Sequence, residues 1–264
     1  MSAEDRSGET LGSWRLLEIL GVGAFATVYR GQHAHLPSKQ AALKVLHSQG
    51  CRDEAAERRF LAEAEVLARI NHPAITQIYD IHIGDPAPCF IVMELLEGQT
   101  LRKAQEGGLR DPDEVVRLTI QLVDALERAH AAGIVHRDLK PENIFVMQAP
   151  GVTPTIKLLD FGIAKLTKLT SAGGTMTKGP KGTPRYMPPE QCQARPDVDG
   201  RADVYALGVV LYEWLAGEHP FPKNSIYGLL TAHLMEPPPP HPRLDTLHPS
   251  LRALIFRMLA KEPV

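Results

Sequence analysis

Residues 21–31 read GVGAFATVYRG, and how this stretch continues decides the fold. Gly21, Gly23 and Ala26 fit a G-x-G-x-x-[G/A] spacing, with Val22 between the glycines. A dinucleotide-binding loop of that spacing runs into a helix, whereas TVYRG is β-branched and aromatic and predicts a strand. No G-K-[S/T] occurs in the chain, which excludes a P-loop as well. What remains is a glycine-rich hairpin, free enough in its backbone to close over phosphate oxygens. Ala26 in the third place narrows that freedom but still allows a close approach.

Outward from the hairpin, the first half reads as strands around one helix. WRLLEILG (14–21) and AALKVL (41–46) are strand-like, and FIVMELL (90–96) is too short for a typical helix and predicts a buried strand. DEAAERRFLAEAEVLARI (53–70) predicts a helix, with Asp53 as N-cap and Phe60, Ala64 and Leu67 as its apolar stripe. From residue 111 the character becomes helical. DPDEVVRLTIQLVDALERAHAAG (111–133) has Asp111 as N-cap, Pro112 in the first turn, Glu114 closing a capping-box-like pair and Gly133 as the stop. DVYALGVVLYEWLAG (203–217) is apolar nearly all round and predicts a central buried helix. Strands first and helices afterwards argue for an α+β chain of two lobes, with a hinge near residues 95–98. The proline run at 237–240 reads as a stiff connector.

Composition narrows the function classes. With 264 residues, 44% hydrophobic and 23% charged, the chain can build a large core. A formal net charge of −2 supplies no global attraction to nucleic acid, and no nucleic-acid partner is expected. No apolar run approaches the roughly 20 residues of a membrane helix, and MSAEDRSGET is not a secretory signal. Cys51, Cys89 and Cys192 form neither a metal-ligand pair nor a CxxC, so reduced thiols in the cytoplasm are expected.

Four charged positions do not fit a solvated surface: Lys44, Glu63, Asp138 and Asp160. Lys44 interrupts an apolar strand, which is costly unless it is paired. Glu63 lies between Phe60 and Leu67 on the helix, close to the stripe, so it is the expected partner, while Glu57 and Glu65 suit the solvated face. Such a pair could be structural alone or could aim Lys44 at a nucleotide phosphate. HRDLKPEN (136–143) sits between a helix stop and the apolar strand IFVM. Asp138 and Asn143 could there present a carboxylate to a hydroxyl proton and an amide oxygen to a hard metal ion. IKLLDFG (156–162) supplies a second carboxylate, Asp160, ahead of Phe161 and Gly162.

In this order the glycine hairpin, Lys44, Glu63, HRDLKPEN and DFG resemble the protein kinase family, over essentially the whole chain from Trp14 onward. The likeness is nearest to the bacterial eukaryotic-like serine/threonine kinases. It implies a bilobal fold with a β-rich N-lobe (14–96) and a mainly helical C-lobe (97–264), preceded by a flexible extension (1–13). It also implies site roles. Gly21, Val22, Gly23 and Ala26 would cover the phosphates of ATP. Val28, Ala42 and the gatekeeper Met93 would wall the adenine, and Glu94 to Leu96 would be the hinge that bonds it. Lys44, braced by Glu63, would hold the α- and β-phosphates. Asp138 would orient the acceptor hydroxyl and take its proton, with Lys140 beside the transferred group. Asn143 and Asp160 would hold Mg2+, for which Mn2+ could substitute. His136 would be scaffold, and Asp203 would brace the catalytic loop.

Lys140 and Thr183 match the pattern specific for serine and threonine, so protein substrates with those hydroxyls are expected. Arg137 beside Asp138 calls for an anion, which Thr175 or Thr177 would supply once phosphorylated, with a homodimer for trans-autophosphorylation as the expected partner state. MPPE (187–190) replaces the family's A-P-E alanine with Pro188. The arginine that normally pairs with the glutamate at Glu190 is not found before Val264, so the domain is expected to continue beyond this chain, where a membrane anchor could follow. The alternative reading is a nucleotide-binding pseudokinase scaffold. A kinase of small alcohols is a third reading.

Overall fold

The computed structural model describes residues 5–23, 26–47, 54–84, 88–108, 111–148, 151–161 and 184–262, apart from six side chains between Glu54 and Val66. Asp53, Gly162, Thr175, Thr177 and Thr183 lie outside the described residues, as does the Glu63 side chain. The chain divides into two compact units, residues 1–97 and 98–264.

The first unit is a six-stranded antiparallel sheet with one helix. Its strands are β1 (Thr10–Leu11), β2 (Trp14–Val22), β3 (Ala26–His33), β4 (Leu36–Leu46), β5 (Ile78–His82) and β6 (Phe90–Met93), and the helix is α1 (Glu54–Arg69). The sheet order is β1-β2-β3-β4-β6-β5. Strand alternation splits the apolar residues between the two faces. Trp14, Leu16, Tyr29, Leu43, Val45, Phe90 and Val92 form one buried cluster. On the other face Ala26, Leu46, Cys89 and Ile91 pack with Phe60 and Ala64 of α1, so the helical stripe read from the sequence is the one that is buried.

Two expectations are corrected here. The strand expected over 90–96 stops at Met93, after which Glu94 turns back to bond Gln77 through its N–H (3.0 Å) and its carboxylate (2.7 Å). Part of the expected flexible extension is built into the sheet: β1 pairs with Trp14 and Arg15, Gly8 N–H donates to Leu16 O at 2.9 Å, and Leu11 is buried. An apolar Leu11 beside Trp14 has more to gain from the core than from water.

The second unit carries a three-stranded sheet, ordered β7 (Gly98–Thr100), β8 (Ile144–Met147), β9 (Thr155–Leu158), among helices. Gly98 has φ 146, and a Cβ there would lie 2.2 Å from Val146 O, so only glycine fits between these strands. After β7 come α2 (Leu101–Glu106) and α3 (Pro112–Ala131). The Asp111 side chain caps α3 by accepting from Asp113 N–H, one residue earlier than a capping box with Glu114 would place it. At the other end Gly133 takes φ 75, and the N–H groups of Gly133 and Ile134 return to His130 O and Ala129 O. This is a Schellman stop, and it delivers the chain into HRDLKPEN at a fixed angle. The helix Arg201–Ala216 is buried on all sides except around Val204, and Gly217 ends it in the left-handed region. Among the described residues no helix is long and apolar enough to cross a membrane.

Candidate active site

In the first unit, sheet register gathers the residues expected to meet a nucleotide. Residues opposite one another across antiparallel strands share a face. Val28 faces Lys44, Lys44 faces Ile91, and Ala42 faces Met93, so Val28, Ala42, Lys44 and Met93 share the face that carries α1. Gly21 and Val22 pair with Val28 and Thr27, and Gly23 N–H donates to Ala26 O at 2.9 Å. The glycine segment is therefore the tip of a β2–β3 hairpin running into a strand. Helix α1, which contains Glu63, packs on the same face through Phe60 and Ala64, and the Lys44–Glu63 pair itself falls outside the described side chains.

In the second unit the segment 136–143 is held from below by one carboxylate. Asp203, 1% exposed, sits in the first turn of the central helix. Its Oδ2 accepts the His136 N–H at 2.8 Å and lies 2.7 Å from His130 Nε2, while its Oδ1 accepts the Arg137 N–H at 2.8 Å. This grip accompanies a φ of 63 at Arg137, a left-handed conformation that a side chain disfavours. The His136 ring is fully buried 4.6 Å from that of Phe161, and its Nδ1 accepts the Asp138 N–H at 3.3 Å. Burial pushes the His136 pKa down, so the ring is neutral and works as scaffold.

Above that base the polar groups converge. Lys140 Nζ donates to Asp138 Oδ2 at 2.7 Å. Asn143 Nδ2 donates to Asp138 O at 2.9 Å and reaches Asp138 Oδ2 at 3.3 Å, which turns the amide oxygen away from Asp138. Leu159 N–H donates to Asn143 O at 2.9 Å, tying the residue before Asp160 to the 3-10 turn Pro141–Asn143. Asp160 itself is exposed. An amide oxygen and a carboxylate are hard donors, and two protein ligands with water completing the shell is what magnesium commonly accepts.

Arg137 splits its guanidinium. Nη2 donates to Val198 O at 3.1 Å, whereas Nε and Nη1 are buried without a hydrogen-bond partner among the described residues. Buried donors of a fixed charge left open in this way fit an anion.

Sequence reasoning missed a neighbouring ion cluster. Arg102 of α2 bonds Glu142 at 2.8 Å, Gln105 at 3.1 Å, Glu213 at 3.3 Å and the Tyr186 hydroxyl, which in turn donates to Glu213. Burial alone would lower the Arg102 pKa, but the bond to Glu142 and the charges of Tyr186 and Glu213 raise it, and the guanidinium stays charged. The only sequence signal was Glu213 inside an otherwise apolar helix. Glu190, whose usual arginine partner is not found before Val264, is half-exposed beside Pro189 at the start of a short helix.

Comparison with known proteins adds an independent line. A family model described as "Protein kinase domain" matches residues 14–264. The serine/threonine-protein kinase Pkn1 of Myxococcus xanthus is 42% identical over 264 residues, covering 97% of this chain and 36% of that protein. Pkn3 of the same organism is 39% identical, covering 97% and 48%. PknB of Mycobacterium tuberculosis is 38% identical over 257 residues, covering 95% and 40%. The chain thus spans less than half the length of these relatives.

Proposed function

Because this chain belongs to the protein kinase family, we propose that it transfers the γ-phosphoryl group of ATP to serine and threonine hydroxyls of proteins. The observation that carries this reading is the Asp138–Lys140–Asn143 constellation, held on the buried Asp203. Phosphoryl transfer asks little covalent chemistry of a protein and much positioning and charge, and this constellation offers both. Asp138 orients the acceptor hydroxyl and takes its proton as the hydroxyl oxygen bonds to phosphorus and ADP departs. Lys140 places a positive charge beside the moving phosphoryl group. Lys44 with Glu63 binds the α- and β-phosphates, and the hairpin of Gly21, Val22, Gly23 and Ala26 covers them.

The family uses ATP with a divalent metal. We assign Asn143 and Asp160 as its ligands, with magnesium preferred and manganese accepted, and the metal supplies charge neutralisation on the phosphates. Val28, Ala42 and Met93 wall the adenine, and the backbone at Glu94 and Leu96 bonds it. The orphaned half of Arg137 supports autophosphorylation at Thr175 or Thr177, between two copies of the chain. Cytoplasmic ATP places the catalysis in the cytoplasm. Retention of Lys44, Asp138, Asn143 and Asp160 speaks against the pseudokinase scaffold.

The test is transfer of labelled phosphate from Mg-ATP to Ser/Thr peptides by the wild type and by Asp138→Asn, with sites mapped by mass spectrometry. Label in the wild type falling by roughly a hundredfold or more in the variant supports the reading. ATP binding without transfer to any hydroxyl would overturn it.

A further inference from the structure

Two buried histidines, which the chemistry above does not use, converge on a single carbonyl oxygen. His219 lies in the loop after the central helix, and His233 lies in the last turn of the helix Ile226–Met235. Both are buried, at 4% and 0% exposure. His219 Nε2 is 2.7 Å and His233 Nε2 is 2.8 Å from Arg185 O. A carbonyl oxygen has two lone pairs and no proton, so both Nε2 atoms carry hydrogen and donate.

The far sides of the rings fit that assignment. His219 Nδ1 meets the Phe221 N–H and Phe221 O, each at 3.0 Å, and the N–H gives it a donor to accept from. His233 Nδ1 is 3.0 Å from the Tyr205 hydroxyl. Lys261 Nζ donates to that same hydroxyl oxygen at 3.0 Å, which leaves the hydroxyl proton to point at His233. Lys261 is fixed in turn by Ala232 O at 3.1 Å and by the Phe221 ring face at 4.4 Å. The donors therefore run in one direction, from Lys261 through Tyr205 and His233 to Arg185, where His219 arrives from the other side.

The segment they hold is placed against the catalytic loop. Gln191 Nε2 donates to Arg137 O at 3.2 Å, one residue before Asp138. Between the two anchors, Tyr186 donates to Glu213 and meets Arg102, which also bonds Glu142 of the loop. The backbone at Arg185 thus has its distance to Asp138 set from one end by Gln191 and from the other by the two histidines. This segment is tied to the chain on both sides of Asp138, at Arg137 directly and at Glu142 through Arg102.

We infer that His219 and His233, as neutral Nε2–H tautomers, are positioning residues for the acceptor polypeptide, acting through the Arg185 carbonyl. The inference rests on the phosphotransfer reading above. A residue that serves only as core lowers the fraction of folded enzyme, so the apparent kcat falls while the KM values for peptide and for ATP stay in place. A positioning residue of this kind moves the acceptor constants and leaves those for ATP in place.

The experiment has two parts. Long-range proton–nitrogen spectra of histidine-labelled protein at neutral pH report the tautomers, and two buried rings protonated at Nε2 alone are expected. Steady-state kinetics then compare wild type, His233→Phe, which keeps the ring volume without a donor, and His233→Gln, which returns an amide N–H near the lost one. His233→Phe is expected to raise KM for an acceptor peptide by about tenfold while kcat and KM for ATP stay within about twofold, with most of the loss recovered in His233→Gln. An imidazolium or Nδ1–H ring at neutral pH, or a fall in kcat with KM for the peptide unchanged, would overturn the inference. If His233→Phe does not fold, His219→Phe, which removes the other donor to the Arg185 carbonyl, carries the same test with His219→Gln as its rescue. A wild-type chain with the assigned tautomers but no transfer to any hydroxyl overturns the phosphotransfer reading instead, and removes the acceptor role with it.

Discussion

Replacing Asp203 by asparagine tests the base of the site with almost no change of volume. The carboxylate accepts three donors on two oxygens: His136 N–H and His130 Nε2 on Oδ2, and Arg137 N–H on Oδ1. An amide has one acceptor oxygen. If that oxygen keeps the first two donors, its NH2 group faces the Arg137 N–H and leaves it buried without an acceptor. An unsatisfied buried donor costs about 1–3 kcal/mol, and losing the charge assistance on the other two bonds adds about 1 kcal/mol each. The expected loss of unfolding free energy is therefore about 3–5 kcal/mol. A second effect follows at Arg137, whose φ of 63 carries about 1–2 kcal/mol of strain that the carboxylate now holds in place. With the grip released the loop relaxes, and Asp138 leaves its bond to Lys140. Urea unfolding followed by circular dichroism measures the first effect, and phosphate transfer to a peptide under fully folding conditions measures the second, with kcat expected to fall more than about tenfold. A stability loss under about 1 kcal/mol with unchanged kcat would refute the argument that this carboxylate shapes the loop.

Two further outcomes are expected. His233 is held neutral because burial depresses its pKa to about 3, from an ordinary 6.5. Its contribution is complete above pH 6.5 and is lost as the pH falls toward 3, at about 1.4 kcal/mol per unit. His219 and His136 shift the same way, also through burial. Urea unfolding should thus lose at least about 2 kcal/mol between pH 6.5 and 5, and His233→Phe should flatten the slope; a flat wild-type profile contradicts the burial argument. Gly98→Ala meets Val146 O at 2.2 Å and Met147 Cα at 3.0 Å from a backbone already at φ 146. We expect a loss of about 3 kcal/mol or more in thermal or urea unfolding, and a variant as stable as the wild type would mean that β7 and β8 can part without cost.

What was legible in the sequence was what local rules can carry. The glycine hairpin declared itself because a strand followed it, and Lys44 because a charge broke an apolar run. The stripe Phe60–Ala64–Leu67 and the stop at Gly133 obeyed helical periodicity and cap chemistry, and both were found in place. Asp203 was identified through family resemblance, although a carboxylate in the first turn of a mostly apolar helix was a signal in its own right. The rest was written in tertiary pairing. Arg102 meets Glu142 and Glu213 across 40 and 111 residues of chain, and His219 and His233 reach Arg185 across 34 and 48. No window of sequence contains such a pair, and an isolated histidine reads as ordinary surface. Strand β1 was hidden for another reason: two residues are too few to show alternation.

The hold of Asp203 on the catalytic loop also says where this molecule is genetically fragile. Asp203 comes from the central helix, and His130, the ring on the same carboxylate, comes from the last turn of α3. Two helices thus meet at the underside of the loop for which the acceptor role is proposed. A half-ångström slip of one helix against the other, from a lost methylene deep in the packing, reaches Asp138 through three hydrogen bonds. Saturation mutagenesis scored separately for abundance and for turnover should show the difference. Around Ala202 and His130 it should find substitutions that leave cellular protein levels near normal and silence the chemistry, whereas substitutions at Asp203 itself should lower both.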